Sequence, residues 1–202
     1  MLSSSLLRPL NPWRRGPRGG LPYPADRLRW VVRRAGAIRP MNDLLWMAEA
    51  ITEARRAAEL GEVPVGAVVV DGAGEVVARA HNTKETSGDP LGHAEILALR
   101  QAARQIGGWR LSGCALYVTL EPCAMCAGAL VQSRVRRLVY GTEDPKAGFC
   151  GTLGNLVQDP RLNHRLEVER GVMREECAAL LKEFFAALRL THAGGGAGGQ
   201  GA

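Results

Sequence analysis

The sequence predicts an α/β domain in three layers, with a sheet of about five strands between two layers of helices. Three observations predict it. Apolar residues recur at helical spacing in segments near both ends of the central region. Short apolar or β-branched runs, bounded by Gly, Asp or Pro, lie between those segments. After an initial hairpin the strands alternate with helices, an order that covers both faces of one sheet.

Along the chain, residues 42–60 place Leu44, Leu45, Met47, Ala48, Ile51, Ala54 and Ala58 on a helical period, and Gly61 stops it. Residues 65–70 are a strand, 71–74 a turn and 75–81 an alternating second strand, together a hairpin. A loop over 82–91 delivers the chain to His93, and Ile96, Leu97, Leu99 and Ala103 continue a second helix that ends at Gly107-Gly108. Residues 114–120 form a short apolar strand. Pro122 fits the first turn of the next helix, where its missing N–H costs little. Strands four and five fall at 137–141 and 166–169, and a last helix at 175–190. The intervening loop, 142–164, is long enough to be functional or to hold a short helix; its place after the cysteine helix favours substrate binding.

The chain has 202 residues, 46% of them apolar, which suffices for one sizeable core. That core is expected within residues 41–190. Residues 1–40, rich in Arg, Pro and Gly, read as a basic disordered extension, and the glycine-rich 191–202 as a disordered tail. The extension fits an organellar leader, an RNA-binding arm or translation upstream of a start at Met41. It holds nine arginines and one acid, Asp26, for a net +8. The rest carries 17 basic and 19 acidic groups, so the overall +6 says nothing of the domain's own partner. Within the domain, Arg134, Arg136, Arg137 and Lys146 make the nearest basic group to the metal motif, read equally as a polyanion patch or a solvated face. No apolar run reaches membrane-spanning length, so no membrane partner is expected. Five scattered cysteines argue for a reducing, cytoplasmic setting, with Cys114, Cys150 and Cys177 as packing residues.

Chemistry concentrates in His93-Ala94-Glu95 and Pro122-Cys123-Ala124-Met125-Cys126, the pattern H-x-E…P-C-x-x-C. Alone, C-x-x-C reads as a redox pair, half a structural zinc site or two core cysteines. Together, His93, Cys123 and Cys126 give three zinc ligands and leave a fourth position for water. Such water loses a proton at a pKa of roughly 7, which makes zinc-bound hydroxide the nucleophile. Glu95, beside a ligand, suits a proton shuttle: base toward the water, then acid toward a leaving group. Cysteines at i and i+3 face one metal, and the positive end of their helix favours the thiolate forms.

These residues resemble the cytidine and deoxycytidylate deaminase superfamily and, within it, the bacterial tRNA-specific adenosine deaminases. The likeness runs from about Met41 to about Leu190. It rests on Glu62-Val63-Pro64-Val65-Gly66-Ala67-Val68, Asn82, His93-Ala94-Glu95-Ile96, and the stretch from Leu116 through Glu121-Pro122-Cys123 to Ala129. Asp144-Pro145-Lys146-Ala147-Gly148, Asn163-His164-Arg165 and Glu176-Cys177-Ala178-Ala179-Leu180-Leu181 agree in order and setting. The resemblance implies a cytidine-deaminase-like α/β/α fold with a central mixed sheet of about five strands. It also implies one Zn²⁺ per subunit and a homodimer acting on a tRNA anticodon stem-loop, with wobble adenosine converted to inosine by attack at C6. Cytosine, by the same machinery, would be attacked at C4.

Residue by residue, it implies that Asn82 hydrogen-bonds the nucleoside and that Asp144 and Lys146 line the nucleic-acid channel; read alone, Asn82 is a turn residue and Asp144 closes an Asx turn. Phe184 and Phe185 fall where the final helix nears substrate, with core packing the competing role for at least one. Leu91-Gly92 depart from the usual residues before the histidine, and Gly92 is expected to loosen the helix entry. Two other functions stay open on the residues: deamination of a free base or nucleoside, guanine or cytidine, and a non-catalytic zinc-containing RNA-binding subunit. Glu95 argues against the second.

Overall fold

Helix α1 (Asp43–Glu59) buries Trp46, Met47, Ala50, Ile51, Ala54 and Ala57, spaced three or four apart on one face. Leu44 and Leu45, counted toward that face from sequence, are exposed instead. The structure, a computed structural model, describes residues 43–194; the expectations for 1–40 and for the tail beyond 194 lie outside them. Hairpin strands β1 (Gly66–Val70) and β2 (Val76–His81) follow, with Asp71 Oδ1 accepting the Ala73 and Glu75 N–H groups in the turn. Gly66 is required where α1 crosses β1: a Cβ there would run into the backbone of Ala50 and Ala54.

The loop after β2 contains one turn of helix, α2 (Lys84–Ser87), which periodicity did not reveal. Helix α3 (Ala94–Ile106) ends at Gly107, whose φ of 78° suits glycine. Strand β3 (Ala115–Leu120), helix α4 (Ala124–Ser133) and strand β4 (Arg137–Thr142) form a parallel crossover. Residues 143–166 contain turns and two isolated bridges but no helix. Strand β5 (Glu167–Arg170) closes the sheet, and α5 (Arg174–Gly194) runs four residues beyond Leu190.

The sheet is mixed, in the order β2-β1-β3-β4-β5: β1 is antiparallel to β2 and β3, while β3, β4 and β5 are parallel. Alternate residues of β1, β3 and β4 feed different cores, as the two-residue period requires. Ala67, Val69, Leu116, Val118, Leu138 and Tyr140 pack with Ala98 of α3 and Leu130 of α4. Val68, Val70, Ala115, Tyr117 and Val139 pack with Trp46 and Met47 of α1 and Cys177 of α5. These two cores are the three layers.

Topology then selects one edge of the sheet for chemistry. Parallel β3 and β4 both finish there, at Leu120 and Thr142, so the cysteine helix and the long loop start side by side. Antiparallel pairing places His81 opposite Gly66 and Ala67 opposite Val118, which brings the end of β2 to the same edge. At the strands' other end, Arg137 donates to Asp43 Oδ1 and Oδ2 at 2.7 and 2.9 Å, and Tyr117 Oη donates to Asp43 Oδ1 at 2.8 Å. Arg137 is therefore a buried structural cation. Arg134 turns back onto the Val131 carbonyl, so two of the four basic residues grouped from sequence are engaged within the protein itself.

Candidate metal and catalytic centre

His93 and Cys123 occupy equivalent places: each is the extended residue immediately before a helix, with ψ of 142° and 174°. Sequence spacing put Pro122 inside the first helical turn; it lies outside, as His93 does at the other helix. Pro122 stays extended because the loop pairs with it, the Phe149 N–H donating to its carbonyl at 2.9 Å. The His93 and Cys123 carbonyls accept the first helical bonds, from Leu97 at 3.0 Å and Ala127 at 2.8 Å. Neither side chain caps its own helix, so both are free to face the gap between the helix starts. Asn82 does the capping for α3: its Oδ1 accepts the Ala94 N–H at 3.0 Å.

His93 Nδ1 lies 3.8 Å from Cys123 Sγ and 3.6 Å from Cys126 Sγ, and all three donor atoms lie within 4.8 Å of one another. A tetrahedral zinc with Zn–S near 2.3 Å and Zn–N near 2.05 Å requires N···S separations of about 3.6 Å. The donor set therefore fits zinc in kind and spacing, and three donors leave one position open. A hydrogen bond from Cys126, opposed by desolvation and aided by helix N–H groups, lowers the Cys123 thiol to about 5. Cys126 moves the other way, because it holds the proton toward Cys123 and is buried. The expectation that helix position favours both thiolates thus holds for Cys123 alone until a cation takes that proton's place.

Glu95 is 3% exposed, and its Oε2 has no hydrogen-bond partner. Burial pushes its carboxyl pKa up; its own N–H and His93 oppose the rise, and Cys123 adds to it. A buried carboxyl oxygen without a partner, beside three metal donors, is costly in a structural site and useful where water and a leaving amine must exchange protons.

Of the other sequence-derived residues, Asn82 reaches the centre through the helix it caps, and its Nδ2 has no partner among the described residues. Asp144 Oδ1 accepts the N–H groups of Lys146 and Ala147 at 2.9 and 3.2 Å, the Asx turn that its sequence also suggested. Lys146 is exposed. Phe184 is half-buried and Phe185 exposed; they stack edge to face on each other at 5.4 Å and join neither core. Gly92 is not a loose point: a Cβ there would come within 3.0 Å of the Lys84 nitrogen, and its carbonyl accepts the Thr83 N–H. Cys114, Cys150 and Cys177 are free, buried thiols.

Sequence reasoning gave no role to several buried carboxylates, of which Glu62 and Glu121 fasten loops. Glu62 accepts the Glu85 and Thr86 N–H groups and the Thr86 hydroxyl, fastening α2. Glu121 fastens the loop after β4. An acid bordering an apolar run, before it at Glu62 and after it at Glu121, was the available signal.

The MafB19-like deaminase family model matches residues 41–189. The tRNA-specific adenosine deaminase of Bacillus subtilis (strain 168) is 55% identical over 148 residues, covering 73% of this chain and 91% of that one. A structure solved in work on A-to-I editing by tRNA:A34 deaminases at the wobble position is 43% identical, with a TM-score of 0.65 over 68% of this chain and 99% of that one. A guanine deaminase from Nitrosomonas europaea shares the fold at a TM-score of 0.64 but only 25% of residues, covering 85% of this chain and 97% of that one.

Proposed function

The chain belongs to the MafB19-like deaminases and, among them, to the tRNA-specific adenosine deaminases, and from that premise we propose that it hydrolyses adenosine to inosine at the wobble position of a tRNA anticodon. The observation that carries the reaction class is the open three-donor cluster with the unpartnered Glu95 Oε2 beside it. The base follows from kinship: 55% identity to an adenosine deaminase outweighs 25% to a guanine deaminase.

His93, Cys123 and Cys126 would hold one Zn²⁺ per subunit, which would supply the Lewis acidity that brings the pKa of water to about 7. Glu95 takes a proton from the attacking water at its carboxylate and delivers it to a ring nitrogen as the water oxygen adds to C6. It then assists the exocyclic amine as the C–N bond breaks and ammonia leaves. Asn82, its Oδ1 engaged by Ala94, offers Nδ2 to the nucleoside. Lys146 meets backbone phosphate from the loop rim, and Asp144 shapes the turn that presents it. The target base is unstacked from the anticodon loop to reach the centre. Family likeness supports a cytoplasmic homodimer as the working form. Among the described residues no helix is long and apolar enough to cross a membrane.

The deciding experiment offers the zinc-loaded protein an anticodon stem-loop with wobble adenosine and, separately, free adenosine, cytidine and guanine. Inosine in the RNA is the expected product. Ammonia from a free base, with the RNA unedited, would overturn the assignment; no ammonia from any substrate would point to a non-catalytic subunit.

A further inference from the structure

Glu121 follows the last residue of β3 and is 2% exposed. A carboxylate has about four acceptor sites, and the loop fills them. Oε1 accepts the N–H groups of Cys150 at 2.9 Å and Thr152 at 3.0 Å. Oε2 accepts the Asp144 N–H at 3.2 Å and the Thr152 hydroxyl. A buried charge this well satisfied is bound into the structure, because withdrawing the loop would leave it desolvated and unpaired.

Two observations place that loop against the metal cluster. Gly148 pairs with Cys123 in an isolated antiparallel bridge, and the Phe149 N–H donates to the Pro122 carbonyl at 2.9 Å. Gly148 also has no room for a side chain: a Cβ would strike the Glu121 carboxylate and come within 2.7 Å of the Asp144 carbonyl. Glu121 thus binds both ends of residues 144–152, while their middle runs along a ligand's backbone.

We propose that Glu121 is a positioning residue that fixes residues 144–152 as a preformed wall of the centre, so that RNA meets this loop already shaped. The RNA part rests on the function proposed above; the wall itself does not. Ordering a loop on binding costs affinity and leaves the chemical step alone. Glu121 therefore governs KM for RNA and not kcat.

The test compares wild type, Glu121→Gln and Thr152→Val as full-length zinc-loaded protein. Glu121→Gln keeps the shape but turns an amide NH₂ toward N–H donors; Thr152→Val, at an exposed position, removes one donor and spares the fold. Amide exchange at Cys150 and Thr152 is measured without substrate, and kcat and KM with the anticodon stem-loop. Glu121→Gln is expected to speed exchange and raise KM by about tenfold each, with kcat within about threefold and zinc content unchanged. Thr152→Val moves KM the same way by about threefold. Unchanged exchange and KM in both variants, or a fall in kcat at constant KM, overturns the proposal. If Glu121→Gln fails to fold, the Thr152→Val result decides. A wild type that edits no RNA, alongside faster exchange in Glu121→Gln, supports the wall and overturns only the RNA assignment.

Discussion

Asn82 caps α3 and, in the function proposed above, also contacts the nucleoside; a pair of substitutions separates the two. Its Oδ1 accepts the Ala94 N–H, a bond that His93 does not supply to its own helix. Asn82→Ala removes that cap, at a cost of about 1 kcal/mol, which for a domain of this size lowers Tm by roughly 2–4 °C. Asn82→Asp keeps the acceptor and places a negative charge at a helix N-terminus, so its Tm should equal or exceed wild type. It lacks the Nδ2 donor, however. Losing one hydrogen bond to the nucleoside costs on the order of 1 kcal/mol, or about fivefold in kcat/KM. Thermal unfolding followed by circular dichroism gives the first quantity and single-turnover deamination of an anticodon stem-loop the second. The reasoning fails on capping if the Asp variant is as unstable as the Ala variant. It fails on substrate contact if the Asp variant edits at the wild-type rate.

Glu95→Gln should fold and keep its zinc while kcat drops by between about a hundred- and ten-thousandfold; near-normal turnover would take the proton shuttle away from Glu95. Cys123→Ala should lose metal, and wild-type zinc stoichiometry by atomic absorption would contradict its role as a ligand. Asp43→Ala strands the buried Arg137 guanidinium and should cost about 3–5 kcal/mol in urea denaturation; a loss under about 1 kcal/mol would mean the pair is solvated. The Glu62 carboxyl is held below its ordinary 4.5: burial opposes this, and hydrogen bonds from Thr86 and Glu85 prevail. The unfolded chain then binds the extra proton first, so the contribution of Glu62 is present at neutral pH and is lost as pH falls below 4.5. Stability measured from pH 7 to pH 3 should accordingly fall less steeply in Glu62→Gln than in wild type; parallel curves would refute the sign.

The strands and helices were legible because periodicity is a local signal. β1 and β3, buried on both faces, read as continuous apolar runs, and α3 announced itself between His93 and Gly107-Gly108. The one-turn helix α2 was not legible, since four residues carry no period. The core face of α1 was half misread: Leu44 and Leu45 follow the helical repeat as well as Trp46 and Met47 do, and only the packing of Gly66 against Ala50 and Ala54 shows which side faces the sheet. Arg137 looked like part of a basic surface because its partner, Asp43, is 94 residues away.

The same division holds at the centre. The sequence by itself determined the donor set and the acid beside it, because H-x-E and C-x-x-C are short spacings whose geometry one helix start dictates. Tertiary structure alone decided that the two starts meet, since β3 and β4 run parallel and end at one edge with the end of β2. It alone decided that Asn82 caps α3 and that Glu121 holds a loop up to 31 residues distant. A buried carboxylate must find its donors wherever the chain brings them, and no period in the sequence records where that is.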